Sequence, residues 1–231
     1  MEIITNEALI KRNAMLSRVC SFGGIGVLGI GMFLSIRRQD LFYVSMLCLL
    51  GGFLLSQVGI YYGNRWGRRP RPDEYINAAL KGLDGRYYLY HYVTPVSHLL
   101  VGPAGIWILL PRMIPGLITY DETRKRWNQK GGSLYLKIFA QESLGRPDLE
   151  IASDRDAIKR FFDNSLPDNN LPEAQAALLF ASERAEVDAD NAPFPTMNLK
   201  KLKDVIRKAA KSKPMSADLI TKIQEILPQP E

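Results

Sequence analysis

Few side chains in this sequence could do chemistry. Its 231 residues hold two histidines, His91 and His98, and two cysteines, Cys20 and Cys48. Both cysteines fall in uncharged apolar stretches, which excludes a disulfide or a thiolate zinc cluster from the polar remainder. A histidine without Cys, Asp or Glu at ligand spacing is more often a packed strand residue than a catalyst. His91 and His98 lie on neighbouring strand-like runs, where a cross-strand pair is open to them but not required. That leaves carboxylates and cations. Glu74 stands in the first turn of a helix started by Asp73, where the helix dipole favours negative charge. Asp121-Glu122, followed by Arg124-Lys125-Arg126, reads as the solvated tip of a hairpin. The cations gather in two places: Arg65, Arg68, Arg69 and Arg71 beside Trp66, then Lys200, Lys201, Lys203, Arg207 and Lys208, continued by Lys211 and Lys213. A net charge of +6 suits an anionic lipid surface or a nucleic acid and singles out neither. Around the second cluster there are no aromatic side chains for base stacking, which argues against single-strand binding.

The elements that position these groups are organised around residues 92–113, YVTPVSHLLVGPAGIWILLPRM. Val96–Val101 is apolar, Gly102-Pro103-Ala104-Gly105 is turn chemistry, and Ile106–Leu110 is apolar again, which favours a strand hairpin over a helix. Runs this apolar predict strands at the centre of a sheet covered by helices. Before them stand a helix over Glu74–Leu83, stopped by Gly82 and Asp84-Gly85, and a tyrosine-rich strand over Arg86–Val93. After them come a sheet segment over Met113–Thr119, Trp127 on a sheet edge, and a strand over Ser133–Phe139. A loop at 141–152 leads to a helix from Ser153 or Asp154 through Phe162. Asn198 caps a helix over Leu199–Ala210, with Leu202, Val205, Ile206 and Ala209 inward, and Ser216 caps a last one over Ala217–Leu227.

The central stretch resembles the core of the nuclease-related (NERD) domain, a branch of the PD-(D/E)XK restriction-endonuclease-like fold. That core reads as Ile-Asp-His, an apolar strand, a Gly-Pro-x-Gly turn, a second strand, then Glu-x-Lys. Here Val96-Ser97-His98 takes the first position, Gly102-Pro103-Ala104-Gly105 the turn, and Leu110-Pro111-Arg112 the place of Glu-x-Lys; Gly116 and Trp127 match residues that often follow. The resemblance covers Asp73 to Trp127 well and the chain to about residue 208 loosely. It implies that Ala176–Ala181, helix-like by propensity, is a buried strand before the last helix, with Glu183–Val187 a short strand or turn and Asp188–Pro195 a loop. It also implies an additional acidic position on the first helix, which Glu74 matches.

The chemical positions depart from the family. Nucleases of this fold hold Mg²⁺ with a carboxylate pair and place a lysine beside the attacking water. Ser97 stands at the aspartate position, Leu110 at the glutamate and Arg112 at the lysine. Serine is a poor Mg²⁺ ligand and leucine is none. A guanidinium keeps the charge but stays protonated and cannot serve as a base.

Ahead of the domain lie two uncharged apolar runs, Val19–Ile36 and Leu41–Gly63, joined by Arg37-Arg38-Gln39-Asp40. The first has about the minimum length to span a bilayer, and the second is longer than that minimum. The first run exceeds a signal-peptide core, ends in Arg-Arg and is followed at once by the second, which favours a two-helix hairpin. Cys48, Gly52 and Ser56 share one face of the second helix, and Gly31 and Ser35 one face of the first. Such small residues either pack the hairpin or join two copies, and Gln57 reads as an interhelical hydrogen bond. Lys11, Arg12 and Arg18 before the spans and Arg65–Arg71 after them predict both ends in the cytoplasm, with Arg37 and Arg38 outside against the rule. The arginines read as a headgroup anchor.

An α/β chain is therefore expected. Residues 1–18 are a cytoplasmic lead, 19–63 a transmembrane hairpin (19–36 and 41–63) and 64–72 a basic juxtamembrane linker. Residues 73–213 form a restriction-endonuclease-like α/β sandwich, and 214–231 a C-terminal helix and tail. Two functions from different classes follow. One is a membrane-anchored, catalytically inactive nuclease-like domain for binding or scaffolding, without metal or cofactor. Its partners are the bilayer with its anionic headgroups and, beyond it, a nucleic acid, a membrane protein or a second copy. The other is a membrane-tethered Mg²⁺-dependent nuclease with relocated carboxylates, Glu74 joined by Asp121 or Glu122. A small membrane-assembly factor unconnected to nucleic acid is not separable from the first. A transporter is excluded, because the spans lack the ionisable residues of a pathway.

Overall fold

In a computed structural model that describes residues 1–131, 143–166 and 171–229, the chain divides into two units. In chain order the elements begin β1 (Glu2–Thr5), α1 (Glu7–Arg37), α2 (Phe42–Tyr62), α3 (Pro72–Leu80), β2 (Tyr88–His91), β3 (His98–Gly102) and β4 (Gly105–Arg112). There follow β5 (Gly116–Asp121), β6 (Arg126–Lys130), α4 (Pro147–Ser165), β7 (Gln175–Phe180), β8 (Ala185–Asp188), β9 (Thr196–Asn198), α5 (Leu202–Ser212) and α6 (Ala217–Ile226).

One unit is the helical hairpin α1–α2 with the turn that follows it, Glu7–Arg71. Its helices have mean hydropathies of 2.0 and 1.9 over their most apolar windows, of which only 17% and 11% is buried. Side chains such as Phe22 and Leu47, 74% and 65% exposed, therefore point outward. A continuous outward apolar surface is one that water does not tolerate, and both helices are long and apolar enough to cross a membrane. Small residues line the contact between them. A Cβ on Gly24 would lie 2.8 Å from the Ser56 backbone nitrogen, and one on Gly52 2.8 Å from that of Leu28. The Ser17 hydroxyl donates to the Gly59 carbonyl at 2.9 Å, and Ser45 to Gly31 at 2.8 Å. Gly31, Cys48 and Gly52 meet in this contact as their spacing predicts, whereas Ser35 is exposed.

The other unit joins Met1–Asn6 to the chain from Pro72 onward. Its six-stranded sheet has the order β1-β2-β3-β4-β7-β9, and a smaller sheet the order β6-β5-β8. β3 pairs antiparallel with β2 and β4, while β1–β2, β4–β7 and β7–β9 are parallel. The parallel β4–β7 pair needs a crossover, and α4 lies within it. Alternation then divides the side chains between two faces. Leu99, Val101, Ile106, Ile108, Leu178 and Phe180 pack with α4, α6 and the smaller sheet. Leu100, Trp107, Leu109, Ala177 and Leu179 pack with α3 and α5. A sheet between two helical layers results; β3 and β7 are almost wholly buried in it, and β4 is buried over 106–109.

Several expectations change. The supposed lead, residues 1–18, is β1 followed directly by α1, which at about 1.5 Å per residue is longer than a bilayer core is thick. Two apolar residues, Ile3 and Ile4, are too few for a strand signal, and their partner lies far along the chain. The C-terminal helix expected after Ser216 is α6, and its Ile223 is fully buried in the core. The Met113–Thr119 segment becomes β5 in the separate sheet. α4 starts at Pro147 rather than near residue 153; Pro147 occupies the helix N-terminus, with Asp148 and Glu150 in the first turn. The short strand β9 falls where a loop end was expected. The strand expected over Ser133–Phe139 lies outside the described residues.

Candidate functional site

The β3–β4 hairpin brings Ser97, Leu110 and Arg112, the positions singled out by the sequence resemblance, to one place. Its register pairs Leu99 with Ile108 and Leu100 with Trp107. Continued by two residues, the same register sets Ser97 opposite Leu110, with Arg112 two residues further on the Leu110 face. Ser97 is half-buried, and its carbonyl accepts from the Tyr92 amide at 2.9 Å. Leu110 is half-buried against the core on the α4 side. The Arg112 side chain, 18% exposed, donates through Nη2 to Glu150 Oε1 in the first turn of α4 and through Nε to the Leu144 carbonyl at 3.3 Å. Arg112 is thus held in an ion pair, two residues along β4 from Leu110. Glu150 was hidden from sequence reading by its assignment to a loop, although Pro147 followed by two acids was a legible helix start.

The relocated carboxylates do not gather there. Glu74 sits half-buried in the first turn of α3, which covers the other face of the sheet from Leu110 and Arg112. Asp121 ends β5, on the α4 side, where it closes its own hairpin: its Oδ1 accepts from the Arg124 amide at 3.0 Å. Glu122 is exposed at the same tip. The fold assigns Glu74 and the Asp121-Glu122 pair to elements on opposite sides of the six-stranded sheet. Among the described residues no group of three or more His, Cys, Asp or Glu is arranged to hold a metal.

The two histidines do meet. β2–β3 pairing sets His91 opposite His98, with Nδ1 to Nδ1 at 2.8 Å and both residues buried. The β2–β3 register puts them on the α3 side, and His91 Nε2 lies 2.9 Å from Asn77 Oδ1 in α3. With that oxygen as acceptor, His91 carries its proton on Nε2 and accepts at Nδ1 from His98 Nδ1–H. Two imidazoliums cannot face each other through Nδ1–H, so this contact holds one proton, not two. Tyr92 follows His91 in the left-handed region, φ 61°, and its ring packs edge-on to His98 at 4.9 Å between centroids. The register that makes the pair was readable only once the 92–97 connection was known to be a tight loop.

The basic clusters divide as well. Arg65 stacks over the Trp66 ring at 5.5 Å, and Arg65, Arg68 and Arg69 are exposed. Arg71 is only 7% exposed, which removes it from the headgroup surface expected of it. On α5, Lys203 Nζ donates to the Lys81 carbonyl at 3.1 Å and Arg207 Nη2 to the Gly82 carbonyl at 3.2 Å. These two cations satisfy carbonyls at the C-terminal end of α3, where the helix dipole favours positive charge. Lys200 pairs with Glu183 at 3.4 Å, and Lys201 and Lys208 are exposed. The stretch is therefore part helix cap and part solvated face.

No family model, curated protein or solved structure matches this chain.

Proposed function

We propose that this is a membrane-anchored protein whose α/β domain has a restriction-endonuclease-like, nuclease-related arrangement without its chemistry, and that it serves for binding or scaffolding at the cytoplasmic face of a membrane. The observation that carries the loss of chemistry is the Arg112–Glu150 ion pair beside Leu110. A cation already neutralised by a carboxylate is a poor partner for developing negative charge, and no oxygen ligand replaces leucine. Support for the fold is the connectivity of the larger sheet: α3 precedes three neighbouring antiparallel strands β2-β3-β4, β5, β6 and α4 follow, and β7 then pairs parallel with β4.

The anchor is supported by the outward apolar surface of α1 and α2. The parallel pairing of β1 with β2 supports a hairpin topology, because the chain on either side of the two spans contributes to one sheet. Basic residues near both ends favour the cytoplasm. The test is cleavage of end-labelled DNA and RNA by the full chain in lipid nanodiscs, with Mg²⁺ or Mn²⁺ and with chelator. No metal-dependent product is expected. Cleavage that disappears in Glu74→Ala or Asp121→Asn, with the fold intact, would establish the relocated nuclease instead.

A further inference from the structure

Where the loop before β2 meets the second half of α5, a crevice of about 530 Å³ opens. Three cations reach it, Arg86, Arg207 and Lys211, against one carboxylate, Asp84. Arg86 donates to Asp84 from Nη2 at 2.6 Å and from its amide at 3.0 Å, and this hydrogen bonding holds the Asp84 carboxyl below its ordinary range. Asp84 is therefore ionised near neutral pH, and the surplus is two positive charges. The Met1 ammonium lies nearby, 3.5 Å from the Leu83 carbonyl.

The floor is apolar: Leu83, Tyr87, Pro103 and Pro214. It is also fixed. A Cβ on Gly102 would lie 2.4 Å from the Tyr87 ring, so glycine there lets the ring seat directly on the β3–β4 turn. The Met215 amide donates to the Pro103 carbonyl at 2.9 Å, which fastens the α5–α6 connection to the same turn. A rigid apolar floor under a rim with two surplus positive charges matches a ligand that joins a ring or apolar group to a dianion.

We infer that this crevice binds a phosphomonoester, whose charge of about −1.5 to −2 at neutral pH matches the surplus. A soluble nucleotide and a phosphomonoester lipid headgroup share that chemistry.

Calorimetric titration of AMP into the full chain in phosphatidylcholine nanodiscs tests the inference. Saturable binding of one AMP per chain is expected, with adenosine much weaker. Lys211→Gln and Arg86→Gln should each weaken AMP by about tenfold, as loss of a charge-assisted contact does, and Lys211→Arg should retain it. Both residues are exposed, so the variants should fold, which circular dichroism checks. Phosphatidic-acid vesicles added as competitor separate the sources: failure to displace AMP marks a soluble ligand, and displacement adds the headgroup as a second one. Absence of saturable AMP binding, adenosine binding as tight as AMP, or AMP affinity unchanged in both Gln variants would overturn the site. Nuclease activity of the chain would not, since this site is independent of Leu110 and Arg112.

Discussion

Arg112 and Glu150 hold each other at the edge of the core, and the energetics of that pair follow from its exposure. Arg112 is 18% exposed and Glu150 44%, so solvent screens the contact substantially. Glu150→Gln should therefore cost about 1 kcal/mol, read as a shift in denaturation midpoint, because it weakens the partner of a mostly buried guanidinium. A loss near zero would mean the pair is a surface contact and the cation is available. Tyr90 gives a second test at this scale. Its ring lies in the core, and burial, with smaller contributions from Glu2 and Tyr88, pushes the phenol up to about 12. An unfolded tyrosine ionises near pH 10. The folded state thus favours the neutral phenol, so Tyr90's contribution to stability is flat below about pH 10 and is lost as pH rises from 10 towards 12. Absorbance at alkaline pH should show Tyr90 titrating late, with Tyr87 (also raised by burial), together with unfolding. Among single residues, the meeting of Ser97, Leu110 and Arg112 around one hairpin was legible in the sequence, because the Gly102–Gly105 turn fixed the register. The Arg112 partner was not, because the contact spans residues far apart in the chain.

The helical hairpin and the sheet were legible to different degrees for one physical reason, the length of the signal. Eighteen or more apolar residues cannot be mistaken for a loop: α2 lies where its run predicts, and α1 covers its run but begins ahead of it, at Glu7. Four residues with two isoleucines can be, and β1 was missed. Pro111 and Pro115 flank the point where the chain passes from β4 into the separate sheet containing β5, a change that apolar content alone did not mark. The glycines of the hairpin make a paired prediction. Gly52→Val should weaken α1–α2 packing by about 1–3 kcal/mol, since its Cβ would lie 2.8 Å from the Leu28 backbone and 2.9 Å from the Gly24 carbonyl. Gly26→Val should be tolerated, because a Cβ there meets nothing within 4 Å. Unfolding in detergent followed by circular dichroism distinguishes them; equal effects would mean the helices do not pack as described.

At the scale of the whole molecule, the two apolar helices are inserted between β1 and α3 of one sheet-forming unit. The proposed two-span topology places both ends of the hairpin on one side of the membrane, where that unit folds. In a background with Cys20 and Cys48 replaced by Ala, Arg38→Cys and Gln229→Cys should label oppositely in intact cells. A membrane-impermeant maleimide is expected to reach position 38 from outside and position 229 only after permeabilisation. Labelling of both from one side would contradict the two-span hairpin.

The most direct measurement of the central claim asks for metal rather than for a substrate, because a nuclease built on relocated carboxylates would have to hold a divalent cation whatever nucleic acid it cut. Mn²⁺ would be titrated into the full chain in nanodiscs of neutral lipid and the free ion followed by electron paramagnetic resonance. The account predicts no stoichiometric site, with any uptake weak and unchanged by Glu74→Ala or Asp121→Asn. One tightly bound Mn²⁺ per chain, lost in either variant, would show that the carboxylates have been reassembled and that the domain is an enzyme.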